Sequence, residues 1–274
     1  MVAGFIMLLS GCVERMFYFP DSEVYGLPTD EGMGFEDVVF SSGDGTELSG
    51  WFVPAQREEA LGTVVQFHGN AQNMTSHFDF VGWLVKEGFN VFVFDYRGYG
   101  RSEGKPKKEG LYQDSVAAME YVFGRGDVDG NKVVVLGQSL GGNQAIAACA
   151  KFSKVKAIAI ESTFSSYQAV VEDKVGAMPV LGWGKGWLSR RAIDNDYSAS
   201  EYIGQIHCPV VFVHGTDDKV VESYHSERLY EMANEPKELW LIEDGGHTCA
   251  FLDREYQKKL VEFYLEKLAE KGEE

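Results

Sequence analysis

The chain has 274 residues, of which 45% are hydrophobic, and a formal net charge of −17. This length and apolar content suit one α/β domain around a buried sheet. The acidic balance argues against nucleic-acid binding, because phosphate contacts need basic patches, and against adhesion to anionic lipid through charge. No His/Cys cluster has metal-ligand spacing, so we expect neither a metal ion nor another cofactor.

The N-terminus is apolar over residues 2–9, which is too short a run to span a bilayer. The sequence Leu9-Ser10-Gly11-Cys12 that follows resembles the lipobox of bacterial lipoproteins. This resemblance implies a cleaved signal segment (residues 1–11), a lipid anchor on Cys12, a tether over residues 12–34 and a location in the bacterial cell envelope. The basic residues expected before such a segment are missing, so a cytoplasmic protein with a stray apolar N-terminus is the alternative.

From residue 35 onward the pattern is that of one folded domain, residues 35–274. Residues 35–41 and 47–54 flank a Gly-Asp-Gly turn and predict an antiparallel hairpin. From Thr63 onward apolar strands alternate with amphipathic stretches, which is typical of βαβ units. We predict eight strands, the first few partly antiparallel and the rest parallel, flanked by helices. An amphipathic helix over residues 258–274 should dock on the sheet through Leu260, Val261, Phe263, Tyr264 and Leu268.

Gly137-Gln138-Ser139-Leu140-Gly141 lies between an apolar strand and a helix-like run. A G-x-S-x-G sequence in that setting predicts a sharp turn that lifts the serine hydroxyl above the sheet. The serine backbone should be strained, and the glycines on either side avoid clashes there. The turn also places Ser139 at a helix N-terminus, which favours developing negative charge. Ser139 is therefore the candidate nucleophile.

Ser139 needs a base to take its proton and an acid to orient that base. Asp217 and Asp218 follow one predicted strand, and His247 follows another within a glycine turn. The carboxyl ends of parallel strands share one edge of the sheet, where ligands bind in open α/β folds. His247 can exchange protons near neutrality, so it is the candidate base. Either aspartate fits as the acid, and Glu161 is a further alternative.

Several segments resemble motifs of the α/β-hydrolase superfamily. They are His214-Gly-Thr-Asp-Asp-Lys-Val-Val, Gly245-Gly246-His247, the segment Phe67-His68-Gly69-Asn70 and the segment Phe94-Asp95-Tyr96-Arg97-Gly98. The chain looks most similar to small bacterial α/β-hydrolase-domain lipoproteins related to acyl-protein depalmitoylases. The resemblance implies Asp218, rather than Asp217, as the acid. It also implies an oxyanion hole formed by the backbone N–H groups of Leu140 and Asn70, while we expect Asp95 and Arg97 to brace their own loop.

Residues 164–207 form an insertion between two predicted strands, at the position where this superfamily carries a cap over the nucleophile. Met178, Leu181, Trp183 and Trp187 could line a substrate pocket there, or could pack the cap onto the core, since both use apolar side chains.

These observations predict a serine hydrolase that cleaves a small-molecule ester or thioester through an acyl-enzyme. A peptidase or amidase of the same fold and a non-catalytic, membrane-tethered binding protein are the alternatives. Of the three cysteines beyond Cys12, all should be free thiols, with a Cys149–Cys208 disulfide as the alternative.

Overall fold

The computed structural model describes residues 17–176 and 185–270. The strands of this part of the chain are β1 (Phe19–Pro20), β2 (Glu36–Ser41), β3 (Glu47–Val53), β4 (Thr63–Phe67), β5 (Ala71–Gln72), β6 (Asn90–Phe94), β7 (Val133–Gln138), β8 (Ile158–Glu161), β9 (Val210–Gly215) and β10 (Lys237–Ile242). Its α-helices are α1 (Met74–His77), α2 (Trp83–Lys86), α3 (Lys108–Gly124), α4 (Leu140–Cys149), α5 (Tyr167–Gly176), α6 (Lys185–Ala192), α7 (Ala199–Tyr202), α8 (Tyr224–Met232) and α9 (Arg254–Ala269).

Eight of the strands form one sheet in the order β10-β9-β8-β7-β4-β6-β3-β2. Strands β2 and β3 form the predicted hairpin, and β3 also pairs with β6 in the antiparallel sense. From β6 to β10 all neighbours are parallel. The prediction of an eight-stranded, mainly parallel sheet with an antiparallel start is therefore confirmed.

The strands at the centre of the sheet are buried on both faces. Every residue of β4 and β7 is buried, as expected for parallel strands that helices cover on both sides. Two hydrophobic clusters occupy the two faces, one reaching α3 and α4 and the other reaching α2 and α9. Helix α9 buries Leu260, Phe263 and Tyr264, with Val261 and Leu268 partly buried against the same cluster. This confirms the predicted docking of the C-terminal helix.

Residues 17–34, which we assigned to a tether, lie against the domain in the structure. Strand β1 pairs in parallel with β5, and Tyr18 and Met33 are 5% and 2% exposed. Cys12 lies outside the described residues. No helix in the described ranges is both long and apolar enough to cross a membrane. The three described cysteines are free thiols, as expected, and Cys149 is buried.

Candidate active site

Ser139 lies in a strained turn between β7 and α4. Its backbone angles are φ 53° and ψ −119°, a region that residues with a Cβ rarely adopt. Two glycines permit the turn. A Cβ on Gly141 would lie 2.0 Å from the carbonyl oxygen of Phe67, and one on Gly137 would lie 2.8 Å from the carbonyl oxygen of Gly141. The sequence therefore folds into the strained strand–turn–helix that was predicted, with Ser139 at the helix N-terminus.

Ser139, His247 and Asp218 form one hydrogen-bonded chain of side chains. The His247 Nε2 lies 3.1 Å from the Ser139 Oγ, and its Nδ1 lies 2.7 Å from Asp218 Oδ2. Because a carboxylate only accepts, the Nδ1–H of His247 donates to Asp218 and leaves Nε2 free to accept from the serine hydroxyl. The structure thus brings together three residues that stand 79 and 29 positions apart in the sequence. Such a chain can move the serine proton onto the imidazole.

Asp218 is 5% exposed and is surrounded by hydrogen-bond donors. Its Oδ1 accepts from the backbone N–H groups of Val220 and Val221 at 2.8 and 3.0 Å. His214 Nε2 lies 3.2 Å from Oδ2. Burial alone would raise the pKa of Asp218, but the hydrogen bonds from His214 and His247 hold that pKa well below its usual range. The carboxylate therefore stays ionised beside His247.

The two alternative acids lie elsewhere. Asp217 is exposed and pairs with Lys219. Glu161 is buried, and its carboxylate accepts hydrogen bonds from Gln138 Nε2 and the Ala250 N–H, both at 2.7 Å. Burial raises the pKa of Glu161. This side chain ties the end of β7 to the segment that follows His247, so its contacts are those of a brace.

Leu140 and Asn70, whose backbone amides were predicted to form the oxyanion hole, both line the cavity that contains Ser139. Neither amide donates to a protein acceptor within the described ranges. The side chain of Asn70 makes other contacts: its Oδ1 accepts hydrogen bonds from the Phe19 N–H and from the Tyr99 hydroxyl, each at 3.0 Å. The loop that carries Asn70 is thus held in place through its side chain, and its amide is left available.

Further contacts hold the same loop from below. The Nε2–H of His77 donates to the carbonyl oxygen of Ala71 at 2.9 Å. Burial lowers the pKa of His77 to about 3, so this imidazole is neutral at pH 7. The Tyr96 hydroxyl donates to the carbonyl oxygen of His68 at 3.3 Å. Together with the bonds from Phe19 and Tyr99, these contacts come from three segments of the chain, and they hold the loop in place.

The loop after β6 is braced as expected. Asp95 Oδ1 accepts from the backbone N–H of Met74 at 2.7 Å. Arg97 is buried and donates to the carboxylates of Asp114 and Asp44, each at 2.8 Å. Asp95 and Arg97 therefore support the backbone next to the site and do not line the cavity around Ser139.

A cavity of about 680 Å³ opens over Ser139, His247, Leu140 and Asn70. Most of its described lining is apolar or aromatic: Phe17, Phe19, Phe80, Phe164, Leu140, Val170, Val171, Val175, Val220 and Val221. Among its described lining residues there is one lysine, Lys174, and no carboxylate. Helix α5 contributes Val170, Val171, Lys174 and Val175 to this lining, so the insertion between β8 and β9 forms part of the cavity wall.

The cap residues predicted from the sequence do not supply the described lining. Met178, Leu181 and Trp183 lie outside the described residues. Trp187 is 59% exposed and stacks beneath the guanidinium of Arg191, so the expectation that it lines the pocket or packs the core is wrong. Helix α6 faces α5 through Ser189, whose hydroxyl donates to Glu172 at 3.0 Å, and this leaves Trp187 on the outer side.

Sequence reasoning missed Phe17 and Phe19, because the segment that contains them read as a tether. A signal was present: residues 17–19 are three consecutive aromatics, and a solvated tether has few. Phe80 and Phe164 were missed for a different reason. The local sequence around an apolar residue does not show whether its side chain lines a pocket or packs in the core.

Comparison with known proteins assigns the family. The family model described as "Serine aminopeptidase, S33" matches residues 58–197. The chain belongs to this family of α/β hydrolases. Protein YfhR of Escherichia coli K12 is 37% identical to this hydrolase over 276 residues, which cover 97% of this chain and 92% of the relative. The alpha/beta hydrolase domain-containing protein WAV2 of Arabidopsis thaliana is 33% identical, over 85% of this chain and 79% of the relative.

Solved structures of the same fold include two esterases. The Pyrococcus furiosus esterase Pf2001 superposes on this hydrolase with a TM-score of 0.72 at 23% identity, covering 91% of this chain and 98% of that one. Acetyl xylan esterase 1 from Thermoanaerobacterium sp. JW/SL YS485 has a TM-score of 0.70 at 18% identity, covering 97% and 94%. At these identities the likeness shows the α/β-hydrolase fold, which agrees with the fold predicted from the sequence.

Proposed function

We propose that this hydrolase cleaves carboxylic esters or thioesters of apolar acyl groups through an acyl-enzyme on Ser139. The observation that carries the proposal is the continuous chain from the Ser139 Oγ to His247 at 3.1 Å and from His247 to Asp218 at 2.7 Å, at the floor of an apolar cavity. A serine hydroxyl at its ordinary pKa is a poor nucleophile, and this chain supplies both the base and the group that orients the base.

In the acylation step the Ser139 Oγ attacks the carbonyl carbon, and His247 Nε2 takes the hydroxyl proton as the new C–O bond forms. Asp218 stabilises the imidazolium that results. The oxyanion accepts hydrogen bonds from the backbone N–H groups of Leu140 and Asn70. As the tetrahedral intermediate collapses, the bond to the alcohol or thiol breaks, and the leaving group receives the proton from His247.

Deacylation follows the same course with water as the nucleophile and Ser139 as the leaving group. Water attacks the acyl carbon while His247 Nε2 takes a proton from it, and the Ser139 oxygen leaves with that proton when the intermediate collapses. The products are a carboxylic acid and the free enzyme, so no cofactor takes part in either step.

The cavity supports an apolar acyl group as the part of the substrate that is recognised. Burial of hydrocarbon against its aromatic and aliphatic lining contributes a favourable free energy of about 0.8 kcal/mol for each CH₂. Two of the similar solved structures are esterases, which supports ester cleavage. An aminopeptidase must hold a cationic amine next to the scissile bond. The described lining offers Lys174 and no carboxylate for that purpose, so the aminopeptidase alternative is disfavoured.

A lipid anchor on Cys12 and a location in the bacterial cell envelope belong to the same proposal. They are supported by Leu9-Ser10-Gly11-Cys12 after an apolar run. Incorporation of labelled palmitate into the wild type and its loss in Cys12→Ser would support the anchor. A wild-type chain that stays unlabelled in a lipoprotein-processing host would contradict it.

The test of catalysis compares the wild type with Ser139→Ala on p-nitrophenyl esters from acetate to decanoate and on an aminoacyl p-nitroanilide. We expect ester hydrolysis that falls at least about 10³-fold in Ser139→Ala, with little cleavage of the anilide. Ser153→Ala, a change outside the cavity, is the matched control. Equal ester hydrolysis by the wild type and Ser139→Ala would contradict the proposal, and efficient anilide cleavage would move the aminopeptidase alternative to the front.

A further inference from the structure

Residues 17–25, here called the strap, are bonded along their length to the loop that carries Asn70. The backbone N–H of Phe19 donates to Asn70 Oδ1 at 3.0 Å. The side-chain amide of Asn73, which is fully buried, donates to Asp21 Oδ1 at 2.8 Å. The backbone N–H of Tyr25 donates to the Thr75 hydroxyl oxygen at 3.0 Å. The parallel pairing of β1 with β5 also joins the strap to this loop.

The other side of the strap reaches the cap. The Phe17 ring meets the Tyr167 ring edge to face, with 5.2 Å between centroids. Tyr18 is 5% exposed, and its hydroxyl lies 3.5 Å from the Tyr167 hydroxyl. Tyr167 is fully buried at the first turn of α5, a helix that lines the cavity through Val170, Val171 and Val175. The strap therefore joins the Asn70 loop to the base of the cap.

Between these two attachments the strap closes one side of the cavity. Phe17 and Phe19 both line it, together with Ser139 and His247. Phe17 is half-buried, while Phe19 is 60% exposed. Phe19 therefore lies at the mouth and Phe17 lies deeper. An acyl chain whose carbonyl carbon is bonded to Ser139 would extend along the wall formed by Phe17 and Phe19.

We propose that the strap is a working part of the active site, with two separable roles. Phe17 determines acyl-chain selectivity by forming the wall against which a long chain packs. The Phe19 N–H positions the oxyanion-hole amide of Asn70 by holding its side chain. The inference rests on the ester-cleaving function proposed above.

The selectivity role is tested with Phe17→Ala on p-nitrophenyl acetate and decanoate. We expect the ratio of kcat/KM for decanoate to that for acetate to fall about tenfold, because the long chain loses an aromatic surface that acetate does not reach. Val24→Ala is the matched control, since Val24 is a strap residue that is 66% exposed and does not line the cavity. An unchanged ratio in Phe17→Ala would overturn this role.

The positioning role is tested by comparing Phe19→Ala with Phe19→Pro on the acetate ester. Both variants lose the ring, but only proline loses the N–H that donates to Asn70. We expect kcat to be about tenfold lower in Phe19→Pro than in Phe19→Ala, with KM similar, since a displaced oxyanion donor acts on the transition state. Equal kcat values in the two folded variants would overturn the role.

Tyr99→Phe keeps the test decisive if Phe19→Pro does not fold. It removes the second donor to Asn70 Oδ1 and leaves the strap backbone intact. A several-fold loss of kcat on acetate supports the positioning of Asn70 through its side chain, and an unchanged kcat contradicts it. A wild-type protein that hydrolyses no ester would reject the proposed function itself. An active wild type with unaltered strap variants would reject the strap alone.

Discussion

Replacement of Asp218 by asparagine tests the geometry of the hydrogen-bonded chain with the smallest change in shape. In the native site Oδ1 accepts from two backbone N–H groups, and Oδ2 accepts from His247. An asparagine at this position keeps its oxygen on the two backbone donors and so turns its NH₂ toward His247. The imidazole must then accept at Nδ1 and carry its proton on Nε2, where it can no longer take the proton of Ser139.

The expected loss follows from that tautomer. Only a rare fraction of molecules would have Nε2 unprotonated and facing Ser139, and a catalytic aspartate of this kind typically contributes about 10³ to 10⁴ in kcat. This corresponds to about 4 to 5.5 kcal/mol in activation free energy. The effect should fall on kcat and leave KM largely unchanged, since Asp218 does not line the cavity.

Asp217→Asn is the matched control, because the neighbouring aspartate is exposed and its side chain pairs with Lys219. The assay is steady-state hydrolysis of p-nitrophenyl butyrate at pH 8 by both variants, with thermal unfolding to confirm folding. We expect Asp217→Asn to stay within about twofold of the wild type. A folded Asp218→Asn enzyme with more than a tenth of wild-type kcat would contradict the proposed role of Asp218, as would an equal loss in Asp217→Asn.

Two further predictions concern stability. Gly141→Ala places a Cβ 2.0 Å from the Phe67 carbonyl oxygen and should lower the free energy of unfolding, measured by urea titration, by about 3 kcal/mol or more. Gly124→Ala is the control, since that position has open space around it, and it should change the free energy of unfolding by less than about 1 kcal/mol. Similar small effects in both variants would contradict the close packing of the turn. The pKa of His77 is about 3 in the fold and about 6.5 when unfolded, so its contribution to stability is complete above pH 6.5 and is lost as the pH falls toward 3. His77→Gln should therefore lose up to about 2 kcal/mol less than the wild type between pH 7 and pH 5, and an equal loss would show that His77 is not held neutral.

The features that the sequence predicted well have local physical causes. The turn at Ser139 needs glycines at fixed positions between a strand and a helix, so its pattern is complete within five residues. Alternating apolar runs predicted the parallel sheet for the same reason. The distinction between Asp217 and Asp218 was not local: it depends on which carboxylate the β9 turn directs inward, and the choice of Asp218 came from resemblance to a family.

The sequence does not identify which apolar residues form the wall of the cavity, because these residues become neighbours only in the folded chain. Trp187 and Phe17 illustrate two kinds of error: an aromatic residue that was expected to be buried and is exposed, and a residue that was assigned to a tether and lines the site. Trp187, an aromatic residue in the cap insertion, was expected to be buried, but its helix turns another face toward α5. Phe17 precedes the domain in the sequence, yet its ring packs on Tyr167 and lines the site. Hydrophobicity predicts that a side chain tends to be buried, but it does not show which residues that side chain contacts.

The proposed acyl-enzyme requires Ser139 to be the activated nucleophile, which mass spectrometry can test after reaction of the protein with a fluorophosphonate. The measurement compares intact masses and peptide maps of the wild type, Ser139→Ala and His247→Gln. We expect one adduct on the wild type, located on the peptide that contains Ser139, with none on Ser139→Ala and much slower labelling of His247→Gln. A folded wild type that remains unlabelled, or that carries its adduct on another residue, would contradict it.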